Sequence, residues 1–295
     1  MSALFTPLRL RSVELRNRIA VSPMCQYAAH EGRAGDWHLV HLGSRALGGA
    51  GLVIVEATSV RPEGRITPAD LGLWSDEQIE PFRRITAFLT EHGAVPGIQL
   101  AHAGRKASTD LPWRGGRPLA TAPGGWQTVA PSPLPFDDGW PEPRQLTAEE
   151  CAGLPASFAA AAVRARDAGF RLVELHFAHG YLVHQFLSPL SNRRDDGWGG
   201  DLAGRTRLAG AIVEAVRTAW GDELPLLVRI SATDWAEGGW DLASSIALAR
   251  DLAGRGVDLV DCSSGGLVPR ARVPVAPGYQ VPFAEAIRRE AGVAT

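Results

Sequence analysis

Short apolar, β-branched runs alternate along the chain with longer alanine- and leucine-rich stretches of helical period. The runs fall at 18–22, 51–57, 95–100, 172–176, 226–230 and 257–262. Each is nearly continuous in apolar residues, the pattern of a parallel strand covered on both faces. Helical patterns occupy 76–91, 147–168, 202–220 and 242–255, and a further one lies at 282–290. Thr147 followed by Glu150 reads as a capping box and Gly169 as a stop, so the 147–168 helix is marked at both ends.

Such βα repetition predicts an α/β fold with a parallel sheet. Polar and reactive side chains gather just after the strand ends: Cys25, Gln99 with His102, His176 with His179, Arg229 and Ser263. A (β/α)8 TIM barrel builds its active face in this way. A doubly wound open sheet also places function at strand carboxyl ends. The barrel is preferred because no G-x-G-x-x-G or G-x-x-x-x-G-K-[ST] loop follows any of the strands. The segment 107–144, rich in Pro, Gly and Trp, is too long for an ordinary connection and is expected to be an excursion over the active face. No linker divides the chain, so residues 1–295 are expected to form one domain.

Composition narrows the function. The 295 residues are 45% hydrophobic with a formal net charge of -2, and Lys and Arg are spread rather than clustered. Neither nucleic acid nor an anionic membrane is therefore an expected partner; small molecules are. No run of about 18 apolar residues suggests a membrane span, and the first ten residues hold no uninterrupted apolar signal segment. Three widely separated cysteines, Cys25, Cys151 and Cys262, make neither a paired disulfide framework nor a zinc site, which points to a reducing cytoplasm.

His176 and His179 leave an apolar strand together, in the run Leu172-Val-Glu-Leu-His-Phe-Ala-His-Gly-Tyr181. Two imidazoles so placed can clamp one carbonyl or anionic oxygen, or bind a metal. A metal-dependent barrel hydrolase would need a third ligand at another strand end, with His102 and Asp234 the nominees, and no H-x-H or E-x-x-H pattern is present. A barrel without turnover is a third possibility.

Four motifs carry a resemblance over essentially the whole chain. They are Asn17-Arg-Ile-Ala-Val-Ser-Pro-Met-Cys-Gln-Tyr27, Gly97-Ile-Gln-Leu-Ala-His-Ala-Gly-Arg105, His176-Phe-Ala-His-Gly-Tyr-Leu and Gln185-Phe-Leu-Ser-Pro-Leu-Ser-Asn-Arg193. Together they resemble the Old Yellow Enzyme family of flavin-dependent ene-reductases. Cys25, Tyr27 and a His pair resemble its bacterial thermophilic-like, xenobiotic reductase A-like subgroup.

That resemblance implies FMN as cofactor, NADPH as reductant, activated alkenes as substrates, and a homo-oligomer, dimer or tetramer. It implies that Gln99 reads the flavin's pyrimidine edge and that Arg229 balances negative charge near N1, roles that suit a carboxamide and a permanent cation. Ser22, Pro23, Met24, Cys25 and Ala57 would line the isoalloxazine, Cys25 as a weak donor and not as a nucleophile. His176 and His179 would hold the carbonyl oxygen of an α,β-unsaturated compound while hydride reaches the β-carbon from flavin N5. Tyr181 would protonate the α-carbon, and Tyr27 would be a second substrate contact. No metal is implied. Trp113, Trp126 and Trp140 would wall the substrate pocket. The chain stops at Thr295, where the family's seventh strand begins, so the last two βα units, which carry the phosphate loops, are absent from the sequence given.

Overall fold

A computed structural model describes residues 2–120 and 122–295; Thr121, within the 107–144 excursion, lies outside the described residues. Six parallel strands form one curled sheet: β3 (Ala20–Val21), β4 (Leu52–Ser59), β5 (Val95–Ala101), β8 (Leu172–Phe177), β9 (Leu226–Ser231) and β10 (Leu259–Ser263). The spatial order β10-β9-β8-β5-β4-β3 follows the chain, as successive right-handed βα units require. This is the wall of a TIM barrel, open between β3 and β10. Beyond β10, Ala294 makes an isolated parallel bridge to Leu259, and Val260 N–H donates to its carbonyl at 2.8 Å.

Outside the sheet lie α1 (Asp36–Leu47), α2 (Ile79–Glu91), α3 (Ala148–Asp167), α5 (Leu202–Trp220), α6 (Leu242–Gly254) and α7 (Val281–Ala291), while the short α4 (Leu182–Leu187) crosses the mouth. Thr147 caps α3, its hydroxyl accepting from Glu150 N–H at 3.1 Å while Glu150 Oε2 accepts from Thr147 N–H at 2.8 Å. The expected capping box is therefore formed.

Strand alternation separates two cores. Val53, Val55, Val173, Leu175, Phe177 and Val228 face the helices. Leu52, Ile54, Leu172 and Leu227 point inward and are covered by Val13 and Leu15. Those two residues belong to a hairpin of β1 (Leu8–Leu10) and β2 (Val13–Leu15), which plugs the amino end of the barrel. Each fully buried leucine there contributes about 1.5–3 kcal/mol.

Some elements differ from the periodicity. The first strand pairs over two residues because Pro23, lacking an N–H, ends the ladder soon after Val21. The hairpin, α1 and α4 are not apparent from period. Among its described residues the excursion pairs β6 (Val129–Ala130) with β7 (Arg144–Gln145) and makes an isolated antiparallel bridge between Thr109 and Pro118. No described helix is long and apolar enough to cross a membrane.

Candidate active site

Higher in the barrel, the inward positions of the same strands become polar. Gln99 stands opposite Glu174, and Arg229 stands between His176 and Asp261. Gln99 Nε2 donates to Glu174 Oε1 at 2.7 Å, with both side chains buried. Glu174 Oε2 has no hydrogen-bond partner. Burial, reinforced by the Asp261 charge and opposed by Arg229, pushes the Glu174 carboxyl up to about 8. Arg229 Nε lies 3.2 Å from Asp261 Oδ2, without hydrogen-bond alignment.

The chain leaves β8 through a turn closed by Tyr181 N–H donating to Ala178 O at 3.1 Å. His179 takes the left-handed conformation, φ 59°, and Gly180 follows at φ 73°. A Cβ on Gly180 would meet Gly266 O at 2.2 Å, so only glycine fits there. Three side chains lock the turn. His179 N–H donates to Ser231 Oγ at 2.9 Å, Gly180 N–H to His184 Nδ1 at 2.9 Å, and Lys106 Nζ to His179 O at 2.9 Å and Gly266 O at 3.0 Å. Such backbone strain persists only where surrounding contacts over-determine it.

Three rings converge as a result. His176 lies 5.0 Å from His179 and 5.1 Å from Tyr181 between ring centroids, edge to face in both cases. Burial is the main cause that lowers both imidazoles: His179 falls to about 3 and His176 well below its ordinary value, with nearby cations Arg229 and Lys106 acting in the same direction. Both are neutral N–H donors at physiological pH. His176 Nδ1 has no partner, whereas His179 Nε2 sits 2.7 Å from Ser263 Oγ. Burial also raises Tyr181 well above the usual phenol range, so its hydroxyl keeps its proton.

The loop after β3 supplies the facing wall. Gln26 N–H donates to Glu56 Oε2 at 2.9 Å, and Tyr27 adopts φ 51°. Ser22 and Met24 are exposed, Pro23 and Cys25 half-buried, and Ala57 is buried in β4. Burial, with Asp70 and Glu56 adding, raises the Cys25 thiol, so it is no thiolate nucleophile.

The tryptophans of the excursion divide. Trp113 meets Tyr27 edge-on at 6.2 Å, but Trp126 donates to Glu63 O at 2.8 Å and stacks on Arg65, and Trp140 packs on Phe136. Of the three, only Trp113 thus packs against a nominated site residue; the other two are half-buried against neighbouring loop residues. Phe136 from the same segment lies 4.6 Å from Lys106 Nζ.

The nominated third metal ligands serve elsewhere. His102 Nδ1 accepts from Gly104 N–H at 3.1 Å; Asp234 Oδ2 accepts from Ser188 Oγ at 2.6 Å and Trp240 N–H at 2.7 Å, and its Oδ1 lies 2.8 Å from His184 Nε2 without hydrogen-bond alignment. Among the described residues no three His, Cys, Asp or Glu side chains group as metal ligands. Sequence reasoning missed Glu174, Asp261 and Lys106; an acid two residues before His176 in an otherwise apolar run was the available signal for the first.

The unpaired polar atoms of Glu174, His176 and Arg229, all at inward or mouth positions, fit a flat heteroaromatic group with alternating donors and acceptors along its edge. The comparisons with known proteins agree. Residues 3–291 match the model of the NADH:flavin oxidoreductase / NADH oxidase family. An NADPH dehydrogenase of Listeria innocua is 49% identical over 297 residues, covering 100% of this chain and 82% of that protein. Among solved structures, morphinone reductase aligns with a TM-score of 0.80 and 30% identity over 98% of this chain and 77% of its own. An Old Yellow Enzyme homologue from Zymomonas mobilis aligns with a TM-score of 0.82 and 28% identity over 98% and 80%. The chain belongs to the NADH:flavin oxidoreductase / NADH oxidase family and is an FMN-dependent oxidoreductase with an Old Yellow Enzyme-like TIM-barrel fold.

Proposed function

We propose that the protein reduces the C=C bond of α,β-unsaturated carbonyl or nitro compounds, with NADPH as the reductant. The observation that carries this reading is the convergence of two neutral imidazoles and one protonated phenol at the mouth of the barrel. NADPH is the nucleotide in the name of the Listeria relative.

FMN, when bound, would supply the hydride. Gln99 and Arg229 would hold its pyrimidine edge, with Ser22, Pro23, Met24, Cys25 and Ala57 along the ring. Neutral His176 and His179 each offer one N–H, and two such donors can grip one carbonyl or nitro oxygen. Ser263 Oγ meets His179 Nε2, which leaves Nδ1 of that ring for a substrate oxygen, and among the described residues no hydrogen bond engages the His176 ring. Their hydrogen bonds strengthen as negative charge grows on the oxygen, which is where donors lower a barrier most. Because the imidazoles are neutral before substrate arrives, they polarise without surrendering a proton.

Tyr181 then gives its phenolic proton to the α-carbon. A phenol with a raised pKa is a weak acid in the resting site, and the strongly basic carbanion-like carbon is the base that can take its proton. Tyr27, with Trp113 at its edge, closes the substrate side. The residues 107–144 cover the mouth through Phe136 and Trp113, and residues 1–295 act as one flavin-binding unit.

The test is His176→Ala with His179→Ala. FMN content is expected to stay near that of the unsubstituted protein, while turnover of 2-cyclohexenone falls by about 10² to 10³. Undiminished turnover would remove the oxygen clamp from the account.

A further inference from the structure

We propose that Glu174 is the positioning residue that fixes the amide orientation of Gln99, and so selects which of its atoms meet the flavin's pyrimidine edge. The inference rests on the flavin-site reading above. β5 and β8 place the two residues directly opposite each other, and the 2.7 Å bond runs from Gln99 Nε2 to Glu174 Oε1.

A primary amide has two ends of nearly the same shape and opposite chemistry. Half a turn about its last torsion exchanges donor for acceptor at little steric cost. A heteroaromatic edge with ordered donors and acceptors is read correctly by only one of the two orientations. Glu174 Oε1 is an acceptor, so it holds the Nε2 end and leaves Gln99 Oε1 and the second N–H for the cofactor.

The groups around Glu174 keep Oε1 in that role. Arg229 on β9 and Asp261 on β10 are the charged neighbours, and His176 is neutral. A proton on Glu174 is accommodated at Oε2, which has no partner, while Oε1 continues to accept. A buried acid with a spare oxygen is costly in a barrel interior. Two residues lower on the same strand face the inward position is Leu172, fully buried. An apolar residue at 174 would extend that core and leave Gln99 free to turn.

The test is a double-mutant cycle on FMN binding, read by fluorescence titration of the apoprotein for the unsubstituted protein, Glu174→Met, Gln99→Ala and the pair, with a thermal melt of each. Glu174→Met is expected to weaken FMN binding on the order of tenfold when Gln99 is present. It should also shift the bound flavin's visible maxima, and it should add nothing in the Gln99→Ala background. Equal weakening in both backgrounds, or none with Gln99 present, overturns the inference. Unchanged FMN binding in Gln99→Ala alone overturns instead the flavin-site reading beneath it. Should Glu174→Met not fold, the same cycle runs with Glu174→Gln, which keeps the size but can also donate. Coupling to Gln99 is again expected, with a smaller single effect, and its absence overturns the inference.

Discussion

The lower and upper halves of the barrel interior are built from the same strands and have opposite chemistry. On β8, Leu172 packs against the hairpin at the amino end while Glu174 and His176 lie above it; on β9, Leu227 packs below and Arg229 stands above. Side chains alternate along each strand with period two, so these pairs share one face. The difference shows how the fold divides its work. The lower layer is apolar and gives stability, and the upper layer carries unpaired polar atoms that are unfavourable until a ligand meets them. The marginal stability of proteins makes this division necessary.

The comparison breaks first in the lower layer. Leu172→Ala opens a cavity beneath the site and is expected to cost about 2–5 kcal/mol in urea unfolding. Catalytic constants of the surviving folded enzyme should change little. A variant that folds normally but loses FMN would show that the two layers are not separable. Next, Tyr181→Phe keeps the packing and removes the proposed acid. Steady-state alkene reduction should fall by about 10² while NADPH bleaching of the flavin continues. Equal loss in both half reactions would place Tyr181 elsewhere in the scheme.

A smaller effect follows from the buried neutral histidines. His102 and His179 have folded values of about 3, set mainly by burial, below the ordinary value of about 6.5. The unfolded chain therefore binds these protons first as pH falls. Stability is fully present above about 6.5 and declines below it, by about 1 kcal/mol per pH unit for each such group. Urea unfolding at pH 7 and pH 5 measures the loss, and His102→Asn should reduce it. The smallest expected effect is that of Arg229→Met. Removing this cation should lower the flavin potential by weakening the reduced cofactor on the order of 1 kcal/mol, since Asp261 already offsets part of its charge. Dye-equilibration potentiometry reads it, and an unchanged potential would count against a role near N1.

The central strands were legible because a strand buried on both faces must be nearly all apolar, and these runs are short and rich in β-branched residues where the apolar stretches of the helices are rich in alanine. The α3 cap was legible because its two reciprocal bonds need particular residues three apart. Three elements were hidden for separate reasons. The hairpin strands, Leu8–Leu10 and Val13–Leu15, are three residues each, too short for alternation to stand out. α1 has Gly35 as its N-cap, with no side-chain cap bond, and carries exposed Trp37, Val40 and Leu47, which blur its amphipathic stripe. In α4 every residue is buried, so no polar face marks its period.

At the site, the motif residues His176, His179, Tyr181, Gln99 and Arg229 were nominated from strand-end positions and family resemblance, and the fold brings the His pair and Tyr181 together. Their partners were not legible. Lys106 reaches the His179 turn from a different strand end, and Asp261 meets Arg229 only through the β9–β10 register. Both depend on pairing that a single sequence does not state.

The most direct measurement is an anaerobic visible spectrum of the purified protein, first with NADPH and then with 2-cyclohexenone. Flavin bands are expected to bleach with NADPH and to return on addition of the enone, with the saturated ketone formed. Bands that bleach and then stay bleached in the presence of enones and nitroalkenes, or a protein that takes up no FMN, would contradict it.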